Sequence, residues 1–361
     1  MSRRPTLSDV AREAGVSVST ASLAFSGAGP IADQTRERVH AAAATLGYAG
    51  PNALGRQLRS GRHGIVGVVI GDKVKRSFRD PVSIQMLDGL VSTLSELRLG
   101  VMLIPGMEHD ETGAMKVDPL LETSGMDVAV LIWGAHLDDP RLEVLRRRSV
   151  PVVIGEGNPS PGCSLVAIDD RRGVAELAEH LYALGHRRVA NVTLPFRMGR
   201  QAGWIENPRD EEIDWTPTRN RLEALEESRL DVVATYETPA SLVESGADAA
   251  RQILDPARWP NPADRPTAIV AQSDLLAAGV VLAAREMGMR VPEDVSVAGF
   301  DGVTLPWLGT DLLTTVTQPL EAKGEALGRA VEALLEGRGV TEVVLPVELR
   351  VGTTTGMPPV L

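Results

Sequence analysis

Cysteine is almost absent from the sequence, because Cys163 is the only one among 361 residues. This excludes a disulfide scaffold and a thiolate zinc site. Aromatic residues make up only 3% of the chain, so the cores must be built from Ala, Val, Leu and Ile. The longest apolar run, Val128 to Ala135, is far shorter than the ~20 residues of a membrane-spanning helix. Residues 1–6 are polar and basic with no apolar stretch behind them, so we expect no signal peptide and a cytoplasmic protein.

Motifs for several kinds of chemistry are also missing. No Gly-x-Gly-x-x-Gly run follows a predicted strand, and the sequence contains neither a Walker motif nor a Gly-x-Ser-x-Gly elbow. The six histidines are scattered, without a metal-binding spacing. The sequence therefore predicts no catalytic residues, no metal site and no cofactor.

The length and the charge distribution indicate more than one domain. A chain of 361 residues with 43% apolar and 24% charged residues is typical of a globular protein with two or three domains. The net charge is −11, but residues 1–63 hold eight arginines and four carboxylates, a local charge of +4, which leaves −15 for the rest. A basic head on an acidic body favours contact between the head and a polyanion. A chance fluctuation of solvated charge is the alternative.

The first fifty residues have the pattern of three short helices. Thr6 and Asp9 have the spacing of a capping box, and an apolar stripe at helical spacing follows them up to Gly15. A second helix is predicted over residues 18–25 and a third over residues 32–46. Two helices separated by about three residues, with a glycine at the turn, match a helix-turn-helix.

The second predicted helix has side chains that suit DNA. Its short hydroxyls can reach phosphate oxygens and base edges, and its apolar side chains can touch thymine methyl groups. The alternative is that these Ser and Thr residues only cap and solvate a surface helix. The residues concerned are Ser17, Val18, Ser19, Thr20, Ser22 and Leu23.

The run from Thr6 to Ser22 resembles the DNA-binding head of the LacI/GalR family of bacterial transcriptional regulators. The resemblance continues through Thr35 to Val39, through Leu46-Gly-Tyr48 and into Pro51-Asn52. It implies that Val18, Ser19 and Leu23 read bases in the major groove. The positions that it implies for backbone contacts are Thr6, Leu7, Ser17, Thr20, Ser22, Ser26 and Thr35.

Leu23 departs from many relatives, which carry Arg at this position. An Arg can bond guanine bidentately, which is worth about 1–3 kcal/mol of discrimination. We therefore expect a different half-site, with an apolar contact at that base pair.

Residues 51–58 resemble the hinge helix of the same family, which orders on DNA, pairs with its twin in the dimer and inserts a leucine into the minor groove. The resemblance places Asn52, Gly55 and Leu58 at DNA contacts, with Leu58 as the wedge; the alternative for Leu58 is an ordinary linker residue. Gly55 replaces a usual Ala, which costs about 1 kcal/mol of helix propensity, and one extra residue precedes Pro51.

The remaining chain alternates strand and helix patterns, which predicts parallel sheets with crossover helices. So many strands favour two doubly wound lobes. The order of several motifs, among them Gly299-Phe-Asp301, resembles the periplasmic-binding-protein-like core of the same family. The predicted fold is thus a small all-α helix-turn-helix head joined by a hinge helix to an α/β core of two doubly wound parallel-sheet lobes.

The predicted boundaries follow from these patterns and the resemblance. The head covers residues 1–50, the hinge helix and tether residues 51–63, and the core residues 64–361. The resemblance implies three crossings between the lobes, expected near residues 163, 293 and 320. The N-lobe is then predicted over 64–163 and 294–320, and the C-lobe over 164–293 and 321–361.

The family binds a small effector between its lobes, where the carboxyl ends of parallel strands place ligands. A carboxylate there can accept hydroxyl hydrogen bonds, and an aromatic face can stack on a ring, which suits sugar-like or nucleoside-like molecules. The alternatives are helix capping for the aspartates and an ordinary loop role for the histidine, and the family's effector-binding arginine matches either Arg219 or Arg221. The candidate residues are Ser77, Phe78, Asp80, His136, Asp169, Arg219, Arg221 and Asp274.

The sequence therefore predicts a homodimeric, ligand-responsive repressor whose partners are near-palindromic double-stranded operator DNA and a small effector. Whether the effector releases or strengthens DNA binding stays open. The alternative is an enzyme or a free solute-binding protein with an α/β body, against which the missing catalytic motifs and signal peptide argue.

Overall fold

The computed structural model describes residues 5–26, 30–50, 62–71, 78–109, 115–134, 139–197 and 199–359. The chain divides into two compact units, Met1–Gly64 and Ile65–Leu361. In the described residues, no helix combines the length and the hydropathy needed to cross a membrane.

The head consists of the three predicted helices, α1 (Leu7–Glu13), α2 (Val18–Ser26) and α3 (Asp33–Leu46). Thr6 caps α1 in a capping box, since its hydroxyl accepts from the N–H of Asp9 at 3.4 Å and its own N–H donates to the Asp9 carboxylate at 2.9 Å. The turn between α1 and α2 contains Gly15 at φ 64°, where a side chain would be strained. A small apolar core joins the helices: Val10, Ala11, Ala21, Ala24, Val39, Ala42 and Ala43.

The body contains two large sheets, as predicted. The first is a six-stranded parallel sheet whose strands, in spatial order, are β14 (Glu342–Leu345), β7 (Ser164–Ile168), β6 (Val152–Gly155), β5 (Val128–Ile132), β1 (Ile65–Ile70) and β2 (Gly100–Pro105). One face packs against α4 (Pro81–Glu96) and α11 (Leu320–Leu335), and the other against α5 (Pro119–Thr123) and α6 (Pro140–Arg147). A separate hairpin pairs β3 (Met107–His109) with β4 (Met115–Val117).

The second sheet has a parallel centre and antiparallel edges. Its strands, in spatial order, are β15 (Glu348–Arg350), β13 (Thr314–Thr317), β12 (Ser296–Asp301), β11 (Ala268–Ala271), β8 (Arg188–Thr193), β10 (Asp231–Glu237) and β9 (Gly203–Ile205). The edge strands β15 and β9 are the antiparallel ones. Helices α7 (Asp170–Leu184) and α8 (Thr216–Glu226) cover one face, and α9 (Val243–Ile253) and α10 (Asp274–Glu286) cover the other.

The lobe boundaries differ from the prediction. Residues 294–320 were expected in the N-lobe, but β12 and β13 lie in the second sheet. β12 is hydrogen-bonded on both sides, to β11 and β13, and all its residues are buried, so it is an interior strand of that sheet. The predicted crossing near residue 293 is therefore wrong. The chain instead crosses between β7 and α7, between β13 and α11, and between β14 and β15.

Helix α11 belongs to the first lobe because it packs closely on α4. A Cβ added at Gly324 would lie 2.1 Å from the backbone oxygen of Met86, and one added at Gly89 would lie 2.1 Å from that of Glu321. Only glycine permits such an approach of two helix backbones. The prediction that residues 321–361 belong to the C-lobe is thus wrong for α11 and β14.

Candidate nucleic-acid interface and ligand site

The N-terminus of α2 carries a cluster of hydroxyl groups. Ser17 Oγ accepts a hydrogen bond from the backbone N–H of Thr20 at 3.0 Å, so Ser17 caps the helix. The same oxygen lies 2.7 Å from the hydroxyl of Ser19 and 2.8 Å from that of Thr20. Free N–H groups and the positive end of the helix dipole make such a terminus suitable for a phosphate.

Two apolar side chains of α2 face solvent. Val18 is 48% exposed and Leu23 is 36% exposed, whereas Ala21 and Ala24 of the same helix are buried in the core of the head. α2 therefore packs by one face and presents hydroxyls and apolar side chains on the other. This arrangement fits a helix that lies in a major groove.

The other predicted head contacts lie around α2. Thr6 is exposed at the start of α1, and Leu7 is half-buried against the core of the head. Ser22 in α2 and Thr35 in the first turn of α3 are also half-buried, and Ser26 is the last residue of α2. Five predicted site residues lie outside the described part of the chain: Asn52, Gly55, Leu58, Ser77 and His136.

In the body, charged side chains meet at the junction of the two lobes. There the carboxyl ends of the strands of one sheet face those of the other. Lys323, in the first turn of α11, is fully buried. Its Nζ donates to Glu156 Oε1 at 2.7 Å and to Gln318 Oε1 at 2.6 Å. Gln318 Nε2 in turn donates to Asp301 Oδ1 at 2.7 Å. This chain of contacts joins the first lobe to the end of β12 in the second.

Arg221 of α8 continues the cluster. Its Nε donates to Asp170 Oδ1 at 2.7 Å, and its Nη1 lies 3.8 Å from Asp301 Oδ1. The guanidinium also stacks 3.6 Å from the ring centroid of Phe300. The other candidate, Arg219, is half-buried and donates to the backbone oxygen of Ile213. Of the two arginines that the sequence left open, Arg221 is the one in the cluster. We call Glu156, Asp170, Arg221, Asp301, Gln318 and Lys323 the junction cluster.

Burial dominates the electrostatics of the junction cluster. It raises the pKa of Asp170 to about 6, although the Arg221 guanidinium beside it acts in the opposite direction. Burial also raises the pKa of Asp301 well above its usual range. Carboxylates that lose water in this way favour a proton or a ligand that donates hydrogen bonds.

The predicted aspartates mostly bind to their own chain. Asp80 caps α4, and its carboxylate accepts from the N–H groups of Val82 and Ser83 at 3.1 and 3.2 Å. Burial raises the pKa of Asp80. Asp169 caps α7 by accepting from the N–H of Arg172 at 3.2 Å. For both residues the structure has the capping contacts that were the alternative.

Asp274 has a different structural role. Its carboxylate accepts from the N–H groups of Gly302 and Val303 at 2.8 and 2.9 Å and from the Thr315 hydroxyl at 2.5 Å. The residue is fully buried, and burial raises its pKa to about 7. Ser273, not Asp274, caps α10. Asp274 therefore fixes the loop after β12, and this geometry does not support the predicted effector contact.

Sequence reasoning missed five of the six cluster residues as site residues: Glu156, Asp170, Asp301, Gln318 and Lys323. Asp301 had a signal, because it ends the quoted motif Gly299-Phe-Asp301; in the structure it has a φ of 128°, rare for a residue other than glycine. Lys323 had none, since one lysine near the start of an amphipathic helix is ordinarily a surface residue.

Trp133 is a further side chain beside the junction cluster. The Trp133 indole N–H donates to Ser83 Oγ at 3.2 Å, and Lys323 Nζ lies 5.4 Å from the centre of the Trp133 ring, whereas Phe78 is exposed.

A groove of about 450 Å³ lies outside the junction, between α7 and α8. Its Arg171 is already paired with Glu223 and Glu227. In the described residues, no group of His, Cys, Asp and Glu could hold a metal ion.

Comparison with known families agrees with this two-part layout. Residues 6–52 match the family described as bacterial regulatory proteins, lacI family. Residues 64–205 match periplasmic binding proteins and sugar binding domain of LacI family, and residues 178–355 match a periplasmic binding protein-like domain.

Relatives that match almost the whole length of the chain are transcriptional regulators. The chain is 34% identical over 379 residues to an HTH-type transcriptional regulator of Mycolicibacterium smegmatis, covering 99% of this chain and 98% of that protein. It is 31% identical over 358 residues to CelR of Thermobifida fusca, covering 96% and 95%.

Solved structures show the same fold. A CelR–cellobiose complex has a TM-score of 0.67 at 28% identity and covers 97% of this chain and 100% of its own. A lac repressor dimer bound to operator and an anti-inducer has a TM-score of 0.74 at 24% identity and covers 98% of this chain and 100% of its own. This similarity shows the fold alone. The chain therefore belongs to the LacI family of HTH-type transcriptional regulators, and it is a DNA-binding regulator rather than an enzyme.

Proposed function

We propose that this chain is a repressor that binds a near-palindromic operator as a homodimer, and that a small effector between the two lobes changes its affinity for DNA. It acts in the cytoplasm, on the nucleoid. The observation that carries the proposal is the surface of α2, where exposed Val18 and Leu23 stand beside the hydroxyl cluster at the helix N-terminus.

The DNA contacts follow from this surface. Val18, Ser19 and Leu23 read bases, since they lie on the first two turns of the exposed helix. The hinge residues Asn52, Gly55 and Leu58 contact the minor groove, with Leu58 as the wedge. The proposed phosphate contacts are Thr6, Leu7, Ser17, Thr20, Ser22, Ser26 and Thr35.

An exposed apolar surface on the body supports the homodimer. Ile84 and Val91, seven residues apart on α4, are exposed, as are Val101 and Leu103 of the edge strand β2. The parallel register pairs Val101 with Val66, which places both β2 side chains on the sheet face that α4 covers. Contiguous apolar side chains at the edge of a sheet mark an interaction surface, and the similar lac repressor structure is a dimer.

The junction cluster is the proposed effector site. Carboxylates of Glu156 and Asp301 can accept hydroxyl hydrogen bonds, and the Arg221 guanidinium can donate them. A sugar presents such hydroxyls, and the similar CelR structure contains cellobiose. A nucleoside is the second candidate, because Trp133 beside the cluster and the exposed Phe78 offer rings for stacking. Ser77, Asp80, His136 and Asp169 stay as proposed effector contacts. Asp274 is left out because it is fully buried and its carboxylate is bound to Gly302, Val303 and Thr315.

Selection of random DNA duplexes by the full-length protein tests the DNA-binding proposal. We expect the enriched duplexes to share two inverted half-sites, because a two-fold protein requires a two-fold site. Deleting residues 1–62 should abolish the enrichment. Enrichment that survives this deletion, or a motif without two-fold symmetry, would contradict the proposal.

The role of Leu58 has its own test in the selected operator. Leu58→Ala should weaken binding to the operator more than binding to unrelated DNA, because a wedge contributes only where the duplex bends around it. Equal losses on both duplexes would make Leu58 an ordinary linker residue.

Thermal-shift screening of the full chain against sugars, polyols and nucleosides tests the effector site. A compound that raises the melting temperature should also change operator affinity in a fluorescence-anisotropy titration. Asp301→Asn should keep operator binding and remove this response, whereas the exposed control Asp248→Asn should keep both. A response that is unchanged in Asp301→Asn would place the effector elsewhere.

A further inference from the structure

Strand β8 contains polar side chains where an interior strand is normally apolar. It is hydrogen-bonded to β10 on one side and β11 on the other, and such strands are usually continuous runs of Val, Ile and Leu. Asn191 interrupts this run and is 1% exposed, and Thr193 at the end of the strand is 0% exposed. Both amide atoms of Asn191 and the hydroxyl of Thr193 lack a hydrogen-bond partner.

The neighbouring strand extends this polar patch. The parallel register places Thr235 beside Asn191 and Glu237 beside Thr193, so all four side chains share one face of the sheet. Thr235 and Glu237 are also buried. Glu237 already has partners, since Oε1 accepts from the N–H of Phe196 at 2.6 Å and Oε2 lies 2.8 Å from Arg200 Nε. The unmet hydrogen bonds are those of β8.

Helix α8 covers this face and links the patch to the junction cluster. Val189, on the same side of β8, packs in one core with Leu225 of α8. One turn from Arg221 on this helix, Thr218 is buried, and its backbone oxygen accepts from Gln272 Nε2 at 3.1 Å. The backbone oxygen of Gln272 accepts from Arg221 Nη1 at 2.7 Å. The N–H of Gln272 donates to the backbone oxygen of Val192 at 2.9 Å, next to Thr193, so Gln272 connects the end of β8 to the Arg221 side of the cluster.

The unpaired atoms define what can bind there. A buried polar group without a partner destabilises the folded protein, so three such atoms on two residues point to an occupied site. The amide oxygen of Asn191 needs a donor and its amide nitrogen needs an acceptor. A hydroxyl group meets both needs, whereas an apolar group meets neither.

We propose that Asn191 and Thr193 form a subsite for hydroxyl groups beneath α8, next to the junction cluster. The hydroxyl belongs either to ordered water or to the effector. Only the second source rests on the proposed function.

A crystal structure of the full chain without ligand, at a resolution that shows water, tests the subsite. We expect oxygen-sized density within hydrogen-bond distance of both the Asn191 amide and the Thr193 hydroxyl. An empty pocket would overturn the proposal, as would an Asn191 amide bonded to protein groups alone. This result does not depend on whether the chain responds to an effector.

Apolar variants test the same point in solution. Thr193→Val should lower the melting temperature only slightly, because it breaks a hydrogen bond to the bound hydroxyl group and no bond between protein groups. The matched control Thr315→Val removes a hydroxyl that donates to Asp274. This variant should lower the melting temperature clearly more than Thr193→Val does. Equal losses in the two variants would show that the Thr193 hydroxyl bonds within the protein, against the proposal.

An effector titration of Asn191→Leu separates the two sources. The probes are cellobiose, glucose, ribose and adenosine, and the readout is the concentration that half-changes operator binding. At least a tenfold increase relative to wild type assigns the hydroxyl to the effector, and no increase assigns it to water. If the wild-type protein responds to none of the four probes, the proposed function is wrong about these effectors. The crystallographic density at Asn191 and Thr193 still tests the subsite in that case.

Discussion

In the head, the hydroxyls of Ser17, Ser19 and Thr20 lie at the surface of α2, whereas in the body Arg221 and Lys323 are enclosed at the ends of the strands. Hydroxyls at the surface can exchange their hydrogen bonds with water, so they remain available to DNA. Buried charges have lost their hydration and depend on every partner around them. We infer that changes in the head mainly alter binding and that changes at the junction alter stability and the effector response together.

The two regions also differ in the size of their cores. The buried core of the head consists of five alanines and two valines, whereas four larger clusters fill the two lobes of the body. Small cores leave little margin against conformational entropy. The comparison therefore predicts that the head is the less stable of the two units.

The largest effect is expected for Lys323→Met. This change leaves the buried Glu156 carboxylate without its cation, and breaking a buried ion pair costs about 3–5 kcal/mol. Chemical unfolding followed by circular dichroism measures it. The control Arg329→Met breaks an exposed pair with Glu325 and should cost less than about 1 kcal/mol. Equal losses would remove the distinction between buried and exposed pairs.

A smaller effect is expected from pH. Burial raises the pKa of Asp170 to about 6 and that of Asp274 to about 7, so between pH 4 and 7 the folded body binds more protons than the unfolded chain. The contribution of these two groups to the free energy of unfolding should therefore increase as the pH falls from 8 to 5 and decrease as the pH returns through 6 and 7. Unfolding free energies measured across this pH range test the direction of the change. Asp170→Asn should make the stability less dependent on pH. A body that loses stability toward pH 5 would contradict it.

In the head, Leu23→Arg should change specificity without changing stability. An arginine at this exposed position of α2 can donate to both acceptors of a guanine, worth about 1–3 kcal/mol of discrimination. Repeating the duplex selection with this variant should enrich a G·C pair at one position of each half-site. An unchanged motif would show that Leu23 does not face the bases.

The smallest effect is expected for Thr6→Ala, which removes the capping box of α1. Loss of such a cap costs about 1 kcal/mol, and operator affinity should fall both through fraying of α1 and through loss of the proposed phosphate contact of Thr6. Amide hydrogen exchange in α1 measures the change, with the exposed neighbour Ser8→Ala as control. Equal exchange in the two variants would exclude a capping role.

The head was predictable because its signals are local. The capping spacing of Thr6 and Asp9, the glycine at position 15 and the helical apolar stripe each act within one turn of chain. The structure confirms all three helices. In the body, the alternation of buried strands and amphipathic helices likewise predicted two doubly wound sheets.

The junction was less predictable because its partners are far apart in the chain. Glu156 and Lys323 are separated by 167 residues, and no local pattern indicates that they meet. Asp274 looked like a ligand residue because it follows a strand, yet its contacts with Gly302 and Thr315 depend on the neighbouring strands. Asn191 carried a signal that sequence analysis did not use, since an amide within a buried apolar strand is unusual.

Sequence alone determined the kinds of element, the division into head and body and the surface chemistry of α2, because capping, periodicity and turn preferences operate between near neighbours. Only the tertiary structure decided which strands share a sheet, that Arg221 rather than Arg219 enters the junction and that Asp274 serves the fold. Those outcomes depend on which distant groups are desolvated together, and the free energy of a buried charge is set by its partners in space.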